Sequence, residues 1–376
     1  MNRYLLIALL LFGSACADSD LPIIDREEAP PGQRPLTVQT SPSAAGAASP
    51  VASSFQQIEV AHGLKIPLAI VFAKDGRVFF AEAKEGNVRV IDPVKGLLPE
   101  PVAHFDVSQQ GEFGLVGLAL DPSFSDNRRM YAYLTDPNPD GSAKGNRVAR
   151  MVVNNNRAED ITTIIGDIPP SGNKHVAGRM AFGSDAMLYV AIGDTQRPDQ
   201  AMDPNSVVGK ILRVTTDGTA APNNPFPGSR AFAVGFRNPF GIAFDPGTGR
   251  LFGVDNGPTT FDEVNIIEAG GNYGHPTAWG PSGGRFKEPV WNSGHDSHGM
   301  SGITVVRASP IAGLRDRVLF CSFDNTTLHS LRLMNDGSVG PDEPITSVAC
   351  SLDVAASPEG IVYVAHGDKI IKLIPS

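Results

Sequence analysis

Several Gly-rich loops carry side chains of the types that catalyse proton transfer. They alternate with apolar segments and supply imidazole, carboxylate, guanidinium and amide groups. A histidine with a nearby aspartate and an arginine has the parts of a general base with electrostatic support. The loops are Gly111-Glu112-Phe113-Gly114, Asn173-Lys174-His175, Gly193-Asp194, Gly235-Phe236-Arg237-Asn238-Pro239, Asn256-Gly257-Pro258 with Asp262-Glu263, and Gly294-His295-Asp296-Ser297-His298.

The apolar segments between these loops form a repeated pattern. Around His175, the segment Met180–Phe182, a Gly-Ser-Asp turn and the segment Met187–Ile192 predict two strands joined by a tight turn. Similar pairs recur six times, with starts 47 to 64 residues apart, close to the period of propeller blades. The sequence therefore predicts an all-β, six-bladed β-propeller with four-stranded antiparallel blades, with a β-sandwich as the alternative. The six starts are Pro67, Gly114, Gly178, Asn238, Gly302 and Asp353.

The propeller interpretation explains how distant loops meet. Loops at the same phase of successive blades converge on one face of the ring, so the polar loops are expected to line one pocket on the axis. The strand-like segments 56–60 and 370–374 are expected to pair within one blade and close the ring, which removes an exposed edge.

The N-terminal region has the pattern of an export signal. A positively charged start is followed by the apolar run Leu5–Phe12, which is too short to span a bilayer. Small residues directly before Cys16 resemble a bacterial lipoprotein processing site, with lipidation of Cys16. Simple secretion with Cys16 removed is the alternative. We therefore predict a signal in residues 1–16, a Pro/Ala/Ser-rich linker in 17–55 and the propeller in 56–376, exported to the periplasm or anchored to the outer membrane.

Charge and cysteine content limit the possible partners. A net charge of −9 with no basic run argues against a nucleic-acid partner. Membrane contact is expected only through the lipid anchor. With Cys16 set aside, Cys321 and Cys350 remain as an even pair, which favours a disulfide between the last blades. Two buried free thiols are the alternative.

The chain from about Val60 to Lys372 resembles the soluble quinoprotein sugar dehydrogenases, the glucose/sorbosone dehydrogenase family that includes the aldose sugar dehydrogenases. The resemblance rests on five ordered motifs. The six-bladed propeller fold that it implies agrees with the six repeats. These are GEFGLVGLALDPSF (111–124), HVAGRMAFGSDAMLYVAIGD (175–194), DPNSVVGKILRV (203–214), GFRNPFGIAFDP (235–246) and DEVNIIEAGGNYGHP (262–276).

The resemblance implies oxidation of an aldose at its anomeric carbon with pyrroloquinoline quinone (PQQ) and calcium, and transfer of electrons to an external acceptor. It implies that His175 is the general base and that Asp194 orients it. Arg237 would lie beside the reacting quinone oxygen. Other cofactor-binding positions are Glu112, where some members have glutamine, Asn238, and the backbone carbonyls of Gly257 and Pro258, which would bind calcium.

The sequence departs from the family where cations are expected to bind the cofactor's carboxylates. One location reads Cys321-Ser-Phe-Asp324-Asn325 and the other ends at Asp353. A non-catalytic binding propeller that has lost PQQ is therefore an alternative. A His/Asp-assisted or metal-assisted hydrolase or lyase is another. In the metal-assisted version, a transition metal such as zinc would be bound by His295, Asp296 and His298 together with His175.

Overall fold

A computed structural model describes residues 55–334 and 336–376 as a ring of six antiparallel sheets. The innermost strands contact one another in sequence around an axis, so the six-bladed propeller is confirmed. The predicted signal segment, Cys16 and the linker up to residue 54 lie outside the described residues. Within those residues, no helix has the length and apolar character to cross a membrane.

Each blade is a meander whose strands run outward from the axis in chain order, apart from blade 6, which takes its outermost strand from the start of the domain. The innermost strands begin at or within three residues of the predicted repeat starts. From the axis outward the strands are Pro67–Phe72, Val78–Glu82, Asn87–Asp92 and Gly96–Leu97 with Ala103–His104 in blade 1; Leu115–Leu120, Arg129–Pro137, Ala143–Asn154 and Arg157–Ile168 in blade 2; Ala177–Phe182, Leu188–Ile192, Lys210–Val214 and Ala231–Val234 in blade 3; Gly241–Phe244, Leu251–Asp255, Glu263–Ile267 and Trp291–Asn292 in blade 4; Met300–Val306, Arg317–Ser322, Thr327–Leu333 and Val339–Asp342 with Ile345–Ala349 in blade 5; and Asp353–Ala356, Val362–His366, Lys369–Pro375 and Phe55–Ala61 in blade 6.

Helix is confined to one short α-helix, Phe124–Asn127, and two 3-10 turns, Pro198–Gln200 and Ala312–Leu314, in the described part of the chain. Blades 1 and 5 differ from the prediction because their outermost strands are split into two pieces. Pro99 and Pro101 interrupt the first and Pro344 the second. Proline has no N–H for the ladder, which explains both breaks.

The second strand of each blade is largely buried. Neighbouring blades cover both of its faces, which is why these strands are nearly continuous apolar runs rather than alternating ones. Phe79, Phe80, Tyr133, Phe252 and Phe320 are all inaccessible to solvent. By contrast, the outermost strand Arg157–Ile168 is largely exposed.

The ring closes by pairing the two ends of the domain. Phe55–Ala61 lies antiparallel to Lys369–Pro375, with Gln56 opposite Ile374. The predicted closure is therefore confirmed.

The ring has two faces, one at each end of its axis. We call the face where the innermost strands begin the upper face and the opposite one the lower face. A cavity of about 670 Å³ is lined by innermost strands of all six blades and by the turns that follow them. Arg179 and Asp353 also line it, and they form an ion pair with an Nη1–Oδ2 distance of 3.0 Å.

The predicted disulfide is present. Cys321 in blade 5 is bonded to Cys350, directly before blade 6, with a Cα–Cα distance of 5.0 Å. Both residues are fully buried. The bond therefore ties the second strand of blade 5 to the segment that leads from blade 5 into blade 6.

Replacing both cysteines by alanine should lower the free energy of unfolding by about 3 kcal/mol, because the bond closes a 29-residue loop in the unfolded chain. Urea unfolding followed by fluorescence would measure the change. Unfolding of the wild type in reductant is the control, because it breaks the crosslink but keeps both sulfur atoms. Its free energy of unfolding should be close to that of the variant. An unchanged midpoint in both cases would show that the crosslink contributes no stability.

Candidate active site

The predicted catalytic residues meet at the upper face. Glu112, His175 and Asn238 each lie two or three residues before an innermost strand, in blades 2, 3 and 4. Asp194 follows the second strand of blade 3, and Arg237 precedes Asn238. All five are at least 96% buried. The ring thus brings together side chains that are distant in the sequence.

His175 and Asp194 form the centre of this group. The Nδ1 atom of His175 lies 2.7 Å from Oδ1 of Asp194. Burial opposes ionisation of Asp194, but hydrogen bonds from His175 and His275 outweigh it and hold the pKa of the carboxyl below its usual range. With Asp194 ionised, Nδ1 of His175 carries the proton and donates it to the carboxylate. Nε2 is then the nitrogen able to accept a proton.

The backbone around the pair adopts uncommon conformations. His175, Thr195 and Gln196 have φ angles of 59°, 48° and 61°. Non-glycine residues in this region cost energy and cluster at functional sites. The close approach of the two loops requires Gly193, because a Cβ atom there would lie 2.0 Å from the carbonyl oxygen of His175.

Glu112 binds the loop of His175 from the side. Its Oε2 accepts the backbone N–H of His175 at 2.8 Å, and both carboxyl oxygens contact Nδ2 of Asn238. Burial raises the pKa of Glu112 above its usual value, although the neighbouring His175 and the hydrogen bonds oppose this effect. Lys84, which the sequence analysis did not single out, donates from Nζ to the carbonyls of Gly111 and Phe113 at 2.6 and 2.7 Å.

Arg237 and Asn238 are held by Asp255. Its two carboxyl oxygens accept the backbone N–H groups of Arg237 and Asn238 at 3.1 and 2.7 Å. The Nη1 atom of Arg237 donates to the carbonyls of Asn256 and Gly257 at 3.2 and 3.1 Å. A guanidinium group therefore lies next to a carbonyl that the resemblance assigns to calcium.

Asp262, in the same group of loops as Gly257 and Pro258, binds backbone groups. Its carboxylate accepts the backbone N–H groups of Gly257, His298 and Gly299 at 2.8, 2.7 and 3.0 Å. It thereby shapes the Gly257 loop.

His275 is the main residue that sequence reasoning missed. Its Nε2 lies 2.8 Å from Oδ2 of Asp194, so the carboxylate lies between two imidazoles. His275 lies inside the family motif 262–276, where the sequence assigned it no role. The available signal was a histidine at the end of a Gly-rich polar loop.

The transition-metal site of the alternative interpretation is not formed by the described residues. Among the described residues, no group of three or more His, Cys, Asp or Glu side chains is arranged to hold a metal ion. The His298 ring packs against His329 with 4.7 Å between centroids and contacts Asn325 through Nδ1. His295 lies against Phe261 instead.

The positions expected to bind the cofactor's carboxylates hold no cation. Cys321 and Cys350 are joined to each other, and Oδ2 of Asp324 accepts a hydrogen bond from Ser297. Asp353 pairs with Arg179. None of the residues at these positions therefore supplies a positive charge.

Gly193→Ala should destabilise the protein by about 1–3 kcal/mol and displace the His175 loop, because the new methyl group overlaps the His175 carbonyl. Thermal unfolding and the histidine signals in NMR spectra would show both effects. Gly340→Ala is the matched control, since its nearest neighbour would lie at 3.5 Å. Equal stability of the two variants would contradict the packing seen here.

Comparisons with known proteins identify the family of this chain. A model of the Glucose / Sorbosone dehydrogenase family matches residues 64–374. Aldose sugar dehydrogenase YliI of Escherichia coli is 32% identical over 232 residues, which cover 59% of this chain and 62% of the relative. Quinoprotein glucose dehydrogenase B of Acinetobacter calcoaceticus is 30% identical over 260 residues, covering 60% of this chain and 53% of the relative. The matches thus span little more than half the length of these relatives.

Solved structures are similar over more of the chain. The PQQ-bound aldose sugar dehydrogenase of Streptomyces coelicolor superposes with a TM-score of 0.75 at 29% identity, covering 86% of this chain and 99% of that one. An oxidoreductase of Thermus thermophilus, described as a glucose dehydrogenase, gives 0.75 at 30% identity and covers 85% and 100%. With the family match over residues 64–374, these findings show that the chain belongs to the glucose/sorbosone dehydrogenase family.

Proposed function

We propose that this protein is an oxidoreductase that oxidises an aldose at its anomeric carbon, with PQQ and calcium as cofactors and an external electron acceptor. The observation that carries the proposal is the buried His175–Asp194 pair beside Arg237 at the upper end of the channel. Fold alone does not specify chemistry, so the proposal rests on this site together with the family.

The residues of the chain would perform the acid–base part of the reaction. Nε2 of His175 would take the proton of the anomeric hydroxyl while the C1–H bond breaks, giving the lactone. Asp194 would stabilise the resulting imidazolium and keep the ring oriented through Nδ1. The guanidinium of Arg237 would stabilise negative charge that develops beside it. When bound, PQQ would supply an ortho-quinone that accepts the hydride.

The donor set fits the reactive end of this cofactor. Arg237 and Asn238 would hold the quinone oxygens, and the carbonyl oxygens of Gly257 and Pro258 suit a hard cation such as calcium. The Gly257 carbonyl already accepts a hydrogen bond from Arg237, but its second lone pair remains for a metal.

The carboxylate end fits less well. At the two positions where the family has cations, the described residues are neutral or acidic, including Asp324. An anionic group without a charged partner costs on the order of a few kcal/mol. We therefore expect weaker PQQ binding than a site with those cations would give. This mismatch is the observation that favours a second candidate, a binding propeller without the cofactor.

We further propose that the protein is exported and meets its sugar outside the cytoplasm. The disulfide between Cys321 and Cys350 suits an oxidising compartment, and the N-terminal sequence has the export pattern. Lipidation of Cys16 belongs to the same proposal.

Purified protein should reduce an artificial dye with an aldose only after PQQ and calcium are added, and chelation should abolish the activity. His175→Ala should lower kcat by about a hundred- to ten-thousand-fold, because the general base is lost. The measurement is dye reduction with a panel of sugars over a PQQ titration that extends to high concentration.

His62→Ala is the control, since His62 is a solvent-exposed histidine that follows the outermost strand of blade 6. Absence of dye reduction by the wild type at saturating PQQ and calcium with every sugar would reject the oxidoreductase proposal. Saturable sugar binding in that same sample would favour the binding propeller.

A further inference from the structure

We propose that His275 is a positioning residue that fixes the Asp194 carboxylate and thereby limits how tightly His175 holds a proton. This inference rests on the proposed function, in which His175 is the base. It follows from the arrangement of two imidazoles on one buried carboxylate, described above.

Each oxygen of Asp194 has its own donors. Oδ1 accepts from Nδ1 of His175 and from the backbone N–H of Gln196, both at 2.7 Å, while Oδ2 lies 2.8 Å from Nε2 of His275. His175, Asp194 and His275 are 3%, 2% and 5% exposed. Donors on both oxygens prevent rotation of the carboxylate about its Cβ–Cγ bond, so it remains directed at His175.

Backbone contacts set the place of the His275 ring. The backbone N–H of His275 donates to the carbonyl of Gly235 at 3.0 Å, and that of Asp194 donates to the carbonyl of Arg237 at 2.8 Å. The connection from blade 3 to blade 4 is thus hydrogen-bonded both to the loop of His275 and to the loop of Asp194. The position of the His275 ring is therefore set by backbone hydrogen bonds of its loop and by its own contact with Asp194.

The tautomer of His275 follows from its surroundings. Burial lowers the pKa of His275, and the bond to Asp194 only partly opposes this, so the ring is neutral near pH 7. Its Nδ1 has no hydrogen-bond partner in the described part of the chain. The single ring proton is therefore on Nε2, where it is donated to Asp194.

Removal of this donor would change the carboxylate that His175 contacts. A carboxylate with fewer donors keeps more charge on the remaining oxygen, which stabilises the protonated form of His175. The other charged groups near the three residues are Glu112, Arg237 and Asp255, which stay the same in a His275 variant. The expected result is tighter proton binding by His175 and loss of the base form at higher pH.

The test compares His275→Phe, which keeps a ring but has no donor, with His275→Gln, whose amide nitrogen can reach Asp194. In the reconstituted enzyme, His275→Phe should move the acid limb of the kcat/KM profile upward by about one pH unit. His275→Gln should stay within about 0.3 unit of wild type. If the Phe variant does not fold, His275→Met replaces it.

His329→Phe is the matched control. His329 is also a buried histidine bonded to an aspartate, Asp342, but in blade 5 and outside the site. This variant should lose stability without a change in the acid limb. A purely structural role for His275 predicts the same behaviour as this control, and that result would overturn the proposal.

A second readout does not need the reaction. NMR titration of the His175 ring in cofactor-free protein should show a midpoint about one pH unit higher in His275→Phe than in wild type. If the wild type has no sugar oxidation but this shift is present, only the proposed function fails. If the enzyme is active and the midpoint is unchanged, the role of His275 is rejected.

Discussion

Closure of the ring is the constraint on which the structure depends. Each blade packs between two others, and the last blade is complete only because Phe55–Ala61 pairs with Lys369–Pro375. An open ring would expose a strand edge and leave apolar blade faces in water. Closure also makes the site, since Glu112 and Asn238 are 126 residues apart and meet only because the upper-face loops converge.

The buried carboxylates at the upper face divide into two kinds. Asp255 and Asp262 accept backbone N–H groups and hold loops in place. Burial raises the pKa of Asp255 to about 7. Asp194 also accepts hydrogen bonds from two imidazole N–H groups, and its pKa is lowered rather than raised. Groups with strongly shifted pKa values cluster at functional sites, and here the carboxylate with the lowered pKa is the one that contacts two imidazoles.

Much of the fold was predictable because strand pairs leave a local signal. Apolar runs separated by Gly/Pro/Asp turns predicted the six repeats. The strand-like segments at the two ends of the domain predicted the ring closure. The split outer strands could have been predicted from Pro99, Pro101 and Pro344.

The site was predictable only in part. His175 and Asp194 lie in one continuous motif, and the family resemblance supplied their roles. The contact between His275 and Asp194 spans 81 residues and depends on how two loops cross, so no local pattern encodes it. The metal interpretation failed because His298 presents its backbone to Asp262 and its ring to His329, which spacing alone does not reveal.

The pairing that completes blade 6 also determines where the described domain begins. Phe55 lies opposite Pro375, at the end of the blade where the innermost strand Asp353–Ala356 finishes. The chain therefore enters the ring at the outer margin of the lower face. The described domain therefore starts on the face opposite His175, and a group joined directly at Phe55 would leave the upper-face loops uncovered.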